Sequence, residues 1–148
     1  MSETETVIID NNLIQAAIIT FMKANAALVD WLSNFSAENE IRENQWQGRD
    51  FVYPAIRVDL VSQQPIGNPP CHAELAFNVF CYSESDSSQQ ADKLAGLINA
   101  ALARKAFTGT GFRSGTVRPQ NILGAQRVAE RVWEAVCQYQ VMLQMGTI

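Results

Sequence analysis

Ala73-Glu74-Leu75-Ala76-Phe77-Asn78-Val79-Phe80-Cys81-Tyr82 runs through the acidic turn Ser83-Glu84-Ser85-Asp86-Ser87-Ser88 into Gln89 to Ala103, and this stretch decides the reading of the chain. Leu75, Phe77, Val79 and Cys81 alternate with Glu74, Ala76, Asn78 and Phe80, the period of a strand with one buried face. The serines and acids that follow supply N-cap side chains. Gln89 and Gln90 stand three residues after Asp86 and Ser87, the spacing of a capping box. Leu94, Ile98, Ala101 and Leu102 then recur at helical spacing, with Asp92 and Lys93 off that stripe. Strand and helix share one short connection, so their apolar faces can close on each other. That contact is expected at the centre of the core.

The rest of the chain adds elements on either side. Asn11 or Asn12 can cap a first helix whose stripe is Ile14, Ala17, Ile18, Phe21 and Met22. Asn25 either interrupts that helix and caps a second one carrying Leu28, Val29 and Leu32, or lies within a single helix. Ser33 to Arg49 is polar, punctuated by Asn34, Asn39, Asn44 and Gly48, and reads as a loop. Tyr53 to Val61 is a strand, begun by Pro54, with Ile56, Val58 and Leu60 on one side and Arg57 and Asp59 on the other. Gln63 to Pro70, rich in Pro and Gly, reads as a connection longer than a tight turn. Phe107 to Gly115 reads as a flexible break and Thr116 to Ile122 as a short strand. The last strand, from about Ala129 to Gln144, places Trp133, Ala135, Cys137, Tyr139, Val141 and Leu143 on one face. Strands usually run 3–10 residues, so one this long either bends at a bulge or extends to meet a neighbour. The expected fold class is α+β: a small antiparallel or mixed sheet of about four strands with two main helices on one face.

A chain of 148 residues suits one domain. With 47% hydrophobic and 18% charged residues it belongs with ordered globular chains. A net charge of −4 and eleven scattered Lys and Arg argue against a nucleic-acid groove. Three cysteines at wide spacing argue against a disulfide framework, and Cys81 and Cys137 are expected as buried free thiols. The acidic N-terminus is unlike a signal peptide, and no apolar run is long enough to span a membrane. These features point to a soluble protein made in a cytoplasm.

Residues for catalysis are sparse. His72 is the only histidine and sits beside Cys71, so a thiol nucleophile or metal site there is one reading. No Cys-x-x-Cys or His-x-x-His spacing supports a metal. An exposed histidine at the start of a strand is the plainer account. The Gly-x-Gly of Phe107-Thr108-Gly109-Thr110-Gly111-Phe112 follows a helix and lacks the remaining phosphate-loop residues, so it reads as a helix C-cap and loop. Asp59, Glu74 and Glu134 could cluster across strands, though charges on the water side of a half-buried sheet are far commoner. Arg113, Arg118, Arg127 and Arg131 form a modest basic run, best read as a solvated or subunit-facing surface. No catalytic, cofactor or metal residue is assigned. Trp46, Phe51, Ile66, Phe80 and Tyr82 have no obvious place in one small core and point to a partner surface, which favours a subunit of an assembly over an enzyme.

The layout resembles the tail terminator, or tail-completion, proteins of tailed bacteriophages. The resemblance lies in an N-terminal helix followed by Asn25-Ala26-Ala27-Leu28-Val29, and in the Pro-started strand Tyr53-Pro54-Ala55-Ile56-Arg57-Val58. It continues in Phe77-Asn78-Val79-Phe80-Cys81-Tyr82-Ser83 leading to Asp92-Lys93-Leu94, and in the closing strand Val132 to Met142. It spans residues 11–144, with 1–10 as a flexible N-terminal segment. It implies a non-enzymatic virion subunit without cofactors, forming a homo-oligomeric ring, usually a hexamer, on the last ring of the tail tube. There it would end polymerisation and meet a neck or head-completion protein and, in contractile tails, the sheath. Six copies would carry a charge of about −24, and genome DNA would pass through without specific binding. A related neck or head-completion connector is the alternative, and a small cytoplasmic enzyme using Cys71 and His72 a more distant one. Candidate interface residues are Trp46 and Arg49 in the polar loop, and Gln63, Gln64 and Ile66 in the Pro-rich connection. Arg113, Arg118, Glu134, Gln138 and Gln140 in the last third complete the set.

Overall fold

The computed structural model of the protein describes residues 10–44, 52–67 and 70–145. In chain order the elements are α1 (Asn11–Lys23), α2 (Ala26–Ser33), β1 (Ile41–Glu43), β2 (Ala55–Gly67), β3 (Pro70–Glu84) and α3 (Gln89–Leu102). They continue with β4 (Thr108–Gly109), β5 (Phe112–Ser114), β6 (Arg118–Ala129) and β7 (Val132–Met145). The strands form one seven-stranded mixed sheet in the order β1-β2-β3-β7-β5-β4, with β6 also paired to β7. The sheet curls into a half-barrel, so the expected four-stranded sheet with two helices is corrected to seven strands and three helices among the described residues.

Each extra element has a local reason. β1 is only three residues long and parallel to β2, with Ile41 opposite Ile56, both fully buried. Three residues are too few to display an alternation, which is why Ser33 to Arg49 reads as loop. The Gln63–Pro70 stretch is no loose connection: β2 continues to Gly67 and pairs there with the start of β3. Val61 is an extra residue between the Leu60–Phe77 and Ser62–Ala76 pairs, and this bulge inverts the alternation beyond it. Before the bulge the even-numbered residues face the helices; after it the odd-numbered ones do. Phe107 to Gly115 forms the small β4–β5 hairpin in place of a flexible break. Gly111 turns it with φ of 84°, and a side chain on Gly109 would collide with the Phe112 ring, so Gly109 is not a helix C-cap.

The long last strand is also resolved differently from either sequence alternative. β6 and β7 are a hairpin turned at Glu130 and Arg131, and β7 pairs with β3 from Val132 to Gln144 without a register break. Its length is used inside the domain, at the middle of the sheet; the bulges lie in β6. β6 itself is longer than the short strand expected from Thr116 to Ile122.

All three helices cover one face of the sheet. Asp10, not Asn11 or Asn12, caps α1 by accepting from the Asn12 amide at 2.9 Å. Asn25 caps α2 by accepting from the Leu28 amide at 3.0 Å, a contact of about 1 kcal/mol. The two helices bend by 76° at that break, which settles two helices over one. The expected capping box before α3 is not formed: Ser88 is the N-cap and makes no side-chain cap bond. Ile14, Ile18 and Met22 of α1, Leu28 and Leu32 of α2, and Leu94, Ile98 and Leu102 of α3 are fully buried against Val58, Leu75, Phe77, Val79, Tyr139 and Val141. Burying each Leu, Ile or Met stabilises the fold by about 1.5–3 kcal/mol. Phe77 and Tyr139 face each other across β3 and β7 with ring centroids 5.4 Å apart, and the Tyr139 hydroxyl donates to Asn99 Oδ1 of α3 at 3.1 Å. The opening strand and helix are therefore joined through β7.

Candidate assembly interface

Among the described residues the opposite face of the sheet carries no helix. Cross-strand partners share a face, so the register identifies its members. Along β3 they are His72, Glu74, Ala76, Asn78, Phe80 and Tyr82, all half-buried. Facing them on β7 are Gln144, Met142, Gln140, Gln138, Val136 and Glu134.

Seven of the ten residues singled out from sequence meet on this face. Gln64 lies opposite Glu74 and Ile66 opposite His72. Glu134, Gln138 and Gln140 alternate along β7, Arg118 lies opposite Gln140, and Arg113 opposite Gln144. Arg118 pairs with Glu74, and the Arg113 guanidinium donates twice to Gln144 Oε1, at 3.0 and 2.9 Å. Gln63 is the exception among the described residues: the Val61 bulge turns it to the helix side, where it donates to Asn11 Oδ1 at 3.1 Å. Trp46 and Arg49, with Phe51, lie outside the described residues.

Sequence reasoning missed the rows that join these residues. Asp59, Asn78, Gln138 and Asn121 form one row across four strands, with Asn121 Nδ2 donating to Gln138 Oε1 at 2.9 Å. Arg57, Phe80, Val136 and Leu123 form the next. Alternation marks which residues share a strand face, but only the pairing register brings four strands into rows. The face is rich in amides, which both donate and accept, and it mixes few charges of both signs. Such a surface suits a broad, hydrated protein contact better than a ligand pocket.

Asp59, Glu74 and Glu134 share the face but stand on rows four residues apart, roughly 13 Å each. They form no cluster, and Glu134 instead lies opposite Tyr82; burial first, and the neighbouring Glu134 carboxylate next, push the Tyr82 pKa up. Among the described residues no three His, Cys, Asp or Glu side chains are grouped to hold a metal. His72 is half-buried, not exposed, and the Cys71 side chain lies outside the described residues. Cys81 and Cys137 are buried free thiols on the helix side. The contact with Cys137, and burial after it, push the Cys81 thiol well above its ordinary value and keep it protonated. The late arginines are dispersed: Arg131 pairs with Asp86 at the β6–β7 turn, while Arg127 falls on the helix side opposite Trp133. A groove between α1 and the β4–β5 hairpin, lined by Leu13, Ala17, Thr20 and Gly109, encloses about 240 Å³, below the usual range of ligand sites.

No protein-family model matches the chain, and no curated protein matches it. Solved structures do. A chain of the virion of native gene transfer agent (GTA) particle aligns over 95% of this chain and 99% of its own with a TM-score of 0.72 at 12% identity. A second solved chain aligns over the same shares with a TM-score of 0.54, also at 12% identity. Both alignments take in nearly the whole of each chain, so what this protein has in common with a component of that virion is its complete fold.

Proposed function

We propose that the protein is a structural virion subunit that forms a ring on the end of a tail tube, stops its polymerisation and joins the tail to the neck. The observation that carries this reading is the end-to-end fold likeness to a chain of a phage-like gene transfer agent particle. It agrees with the resemblance to tail terminators drawn from the sequence. The uncovered, amide-rich sheet face supports an assembly role, because seven interface candidates from four strands converge there. In this reading the partners are further copies of the chain, the tail-tube protein and a neck or head-completion protein, with the sheath added in a contractile tail. DNA passes through the ring without base-specific contacts.

A tube-elongation assay tests this. Purified tail-tube protein polymerising in the presence of the chain should give shorter tubes, with mean length falling as the chain is added in substoichiometric amounts. Tubes of unchanged length at saturating chain would remove the terminator reading. A head-completion connector, the alternative, would leave elongation untouched and bind on the portal side.

A further inference from the structure

Six large apolar side chains remain exposed among the described residues, and five of them belong to the strands at the two opposite margins of the sheet. Ile122, Leu123 and Val128 belong to β6, exposed along nearly its whole length. Val61 and Ile66 belong to β2, and Phe35 lies in the turn leading to β1. Among the described residues β6 pairs only with β7, and β1 covers β2 only as far as Val58.

The margins also differ in charge. The Arg118–Glu74 and Arg57–Glu40 pairs are internally neutral. Beyond them, the β6 strand keeps Arg127 and has no acid of its own between Arg118 and Ala129, while Asp92 of α3 accepts from its Ala125 amide at 2.9 Å. The β1–β2 margin keeps Glu38, Glu43 and Asp59 against Arg42. Both margins are apolar; the β1–β2 margin carries a surplus of acid, and β6 offers Arg127 to meet it.

We infer that β6 of one copy docks against the β1–β2 margin of the next, a head-to-tail contact between copies of this chain. It rests on the ring reading above and names the surfaces through which the ring closes. Two different, complementary patches on opposite sides are what a heterologous interface requires, whereas a two-fold dimer needs one self-complementary patch. Side chains, not an extended ladder, make the contact: three register breaks in β6 and Pro65 in β2 interrupt the rows of backbone groups that a continuous pairing would use. Burying Leu123 and Val128 against Val61 and Ile66 supplies the apolar centre, with Arg127 and the acids at its rim.

The test uses two variants and their mixture, in sedimentation velocity and native mass spectrometry, without tail tube. The first carries Leu123→Glu and Val128→Glu, the second Val61→Glu and Ile66→Glu. The wild-type chain should self-associate, and each variant alone should associate at least roughly 30-fold more weakly, because a charge replaces a central apolar group. Mixed together, the two should form a 1:1 dimer, since the first keeps an intact β1–β2 margin and the second an intact β6. Arg127→Glu leaves every apolar residue in place and should weaken association roughly 5-fold, with added salt reversing the loss. A wild-type chain still monomeric at roughly 1 mM overturns the inference. So does a variant that assembles like wild type, or a mixture that yields no dimer. If the β6 variant proves unfolded by circular dichroism, Arg127→Glu and its salt response decide. The mixture is read without tube and the terminator role on tube ends, so either can fail alone.

Discussion

Arg57→Ala should destabilise the protein by about 3–5 kcal/mol, read as a lowered urea midpoint with unchanged slope. Sequence alternation places Arg57 on the water side of its strand, yet it is 3% exposed and Glu40 equally so. Its guanidinium donates to Glu40 Oε1 at 2.9 Å, to the Glu40 carbonyl at 2.7 Å and to the Ile56 carbonyl at 2.9 Å. These bonds hold the segment before β1 against β2, alongside the bond from the Ile56 amide to the Glu40 carbonyl at 2.9 Å. Removing Arg57 leaves a buried carboxylate and two carbonyls without those donors, which is the costly way to break such a pair. The double variant Arg57→Met, Glu40→Leu removes both charges and should recover most of the loss. A single variant within about 1 kcal/mol of wild type would show that the pair contributes little.

The second large effect is expected at the centre of the sheet. Phe77→Ala should cost about 3–5 kcal/mol by the same measurement, because Phe77 is fully buried between Leu60 and Tyr139 under the helices. Domains of this kind are stable by only about 5–15 kcal/mol, so the variant should be partly unfolded near 37 °C. Phe80, three residues on, has the same ring but lies half-buried on the uncovered face, stacked on Tyr82 at 6.3 Å. Phe80→Ala should therefore cost about 1–2 kcal/mol. Equal losses at the two positions would contradict the assignment of faces.

Those two residues also mark how far the sequence reaches. The alternation through Phe77 and Val79 identifies β3 and its buried face because the strand lies at the middle of the sheet, where one side is dry. Helix periodicity places α1, α2 and α3 for the same reason. What it leaves unread is set by contacts distant in sequence. The parallel pairing of Ile41 with Ile56 makes a three-residue strand that has no pattern of its own. One extra residue at Val61 sends Gln63 to the helices while Gln64 and Ile66 keep to the outer face. Arg57 reads as solvated until the partner that buries it, Glu40, is brought beside it. Ile66, Phe80 and Tyr82 were legible as side chains without a place in one small core, and all three lie on the outer face. That Arg118, Gln140 and Gln64 occupy one surface depends on register, which no single strand records.

The role proposed for this chain is at the end of a tail tube. Cryo-electron microscopy of tube ends formed in its presence tests that most directly. The expected result is one closed ring at one end of each tube, each subunit fitted by the seven-stranded half-barrel, with β6 of one copy beside the β1–β2 margin of the next. Tube ends bare of the chain, or copies distributed along the tube wall, would contradict it.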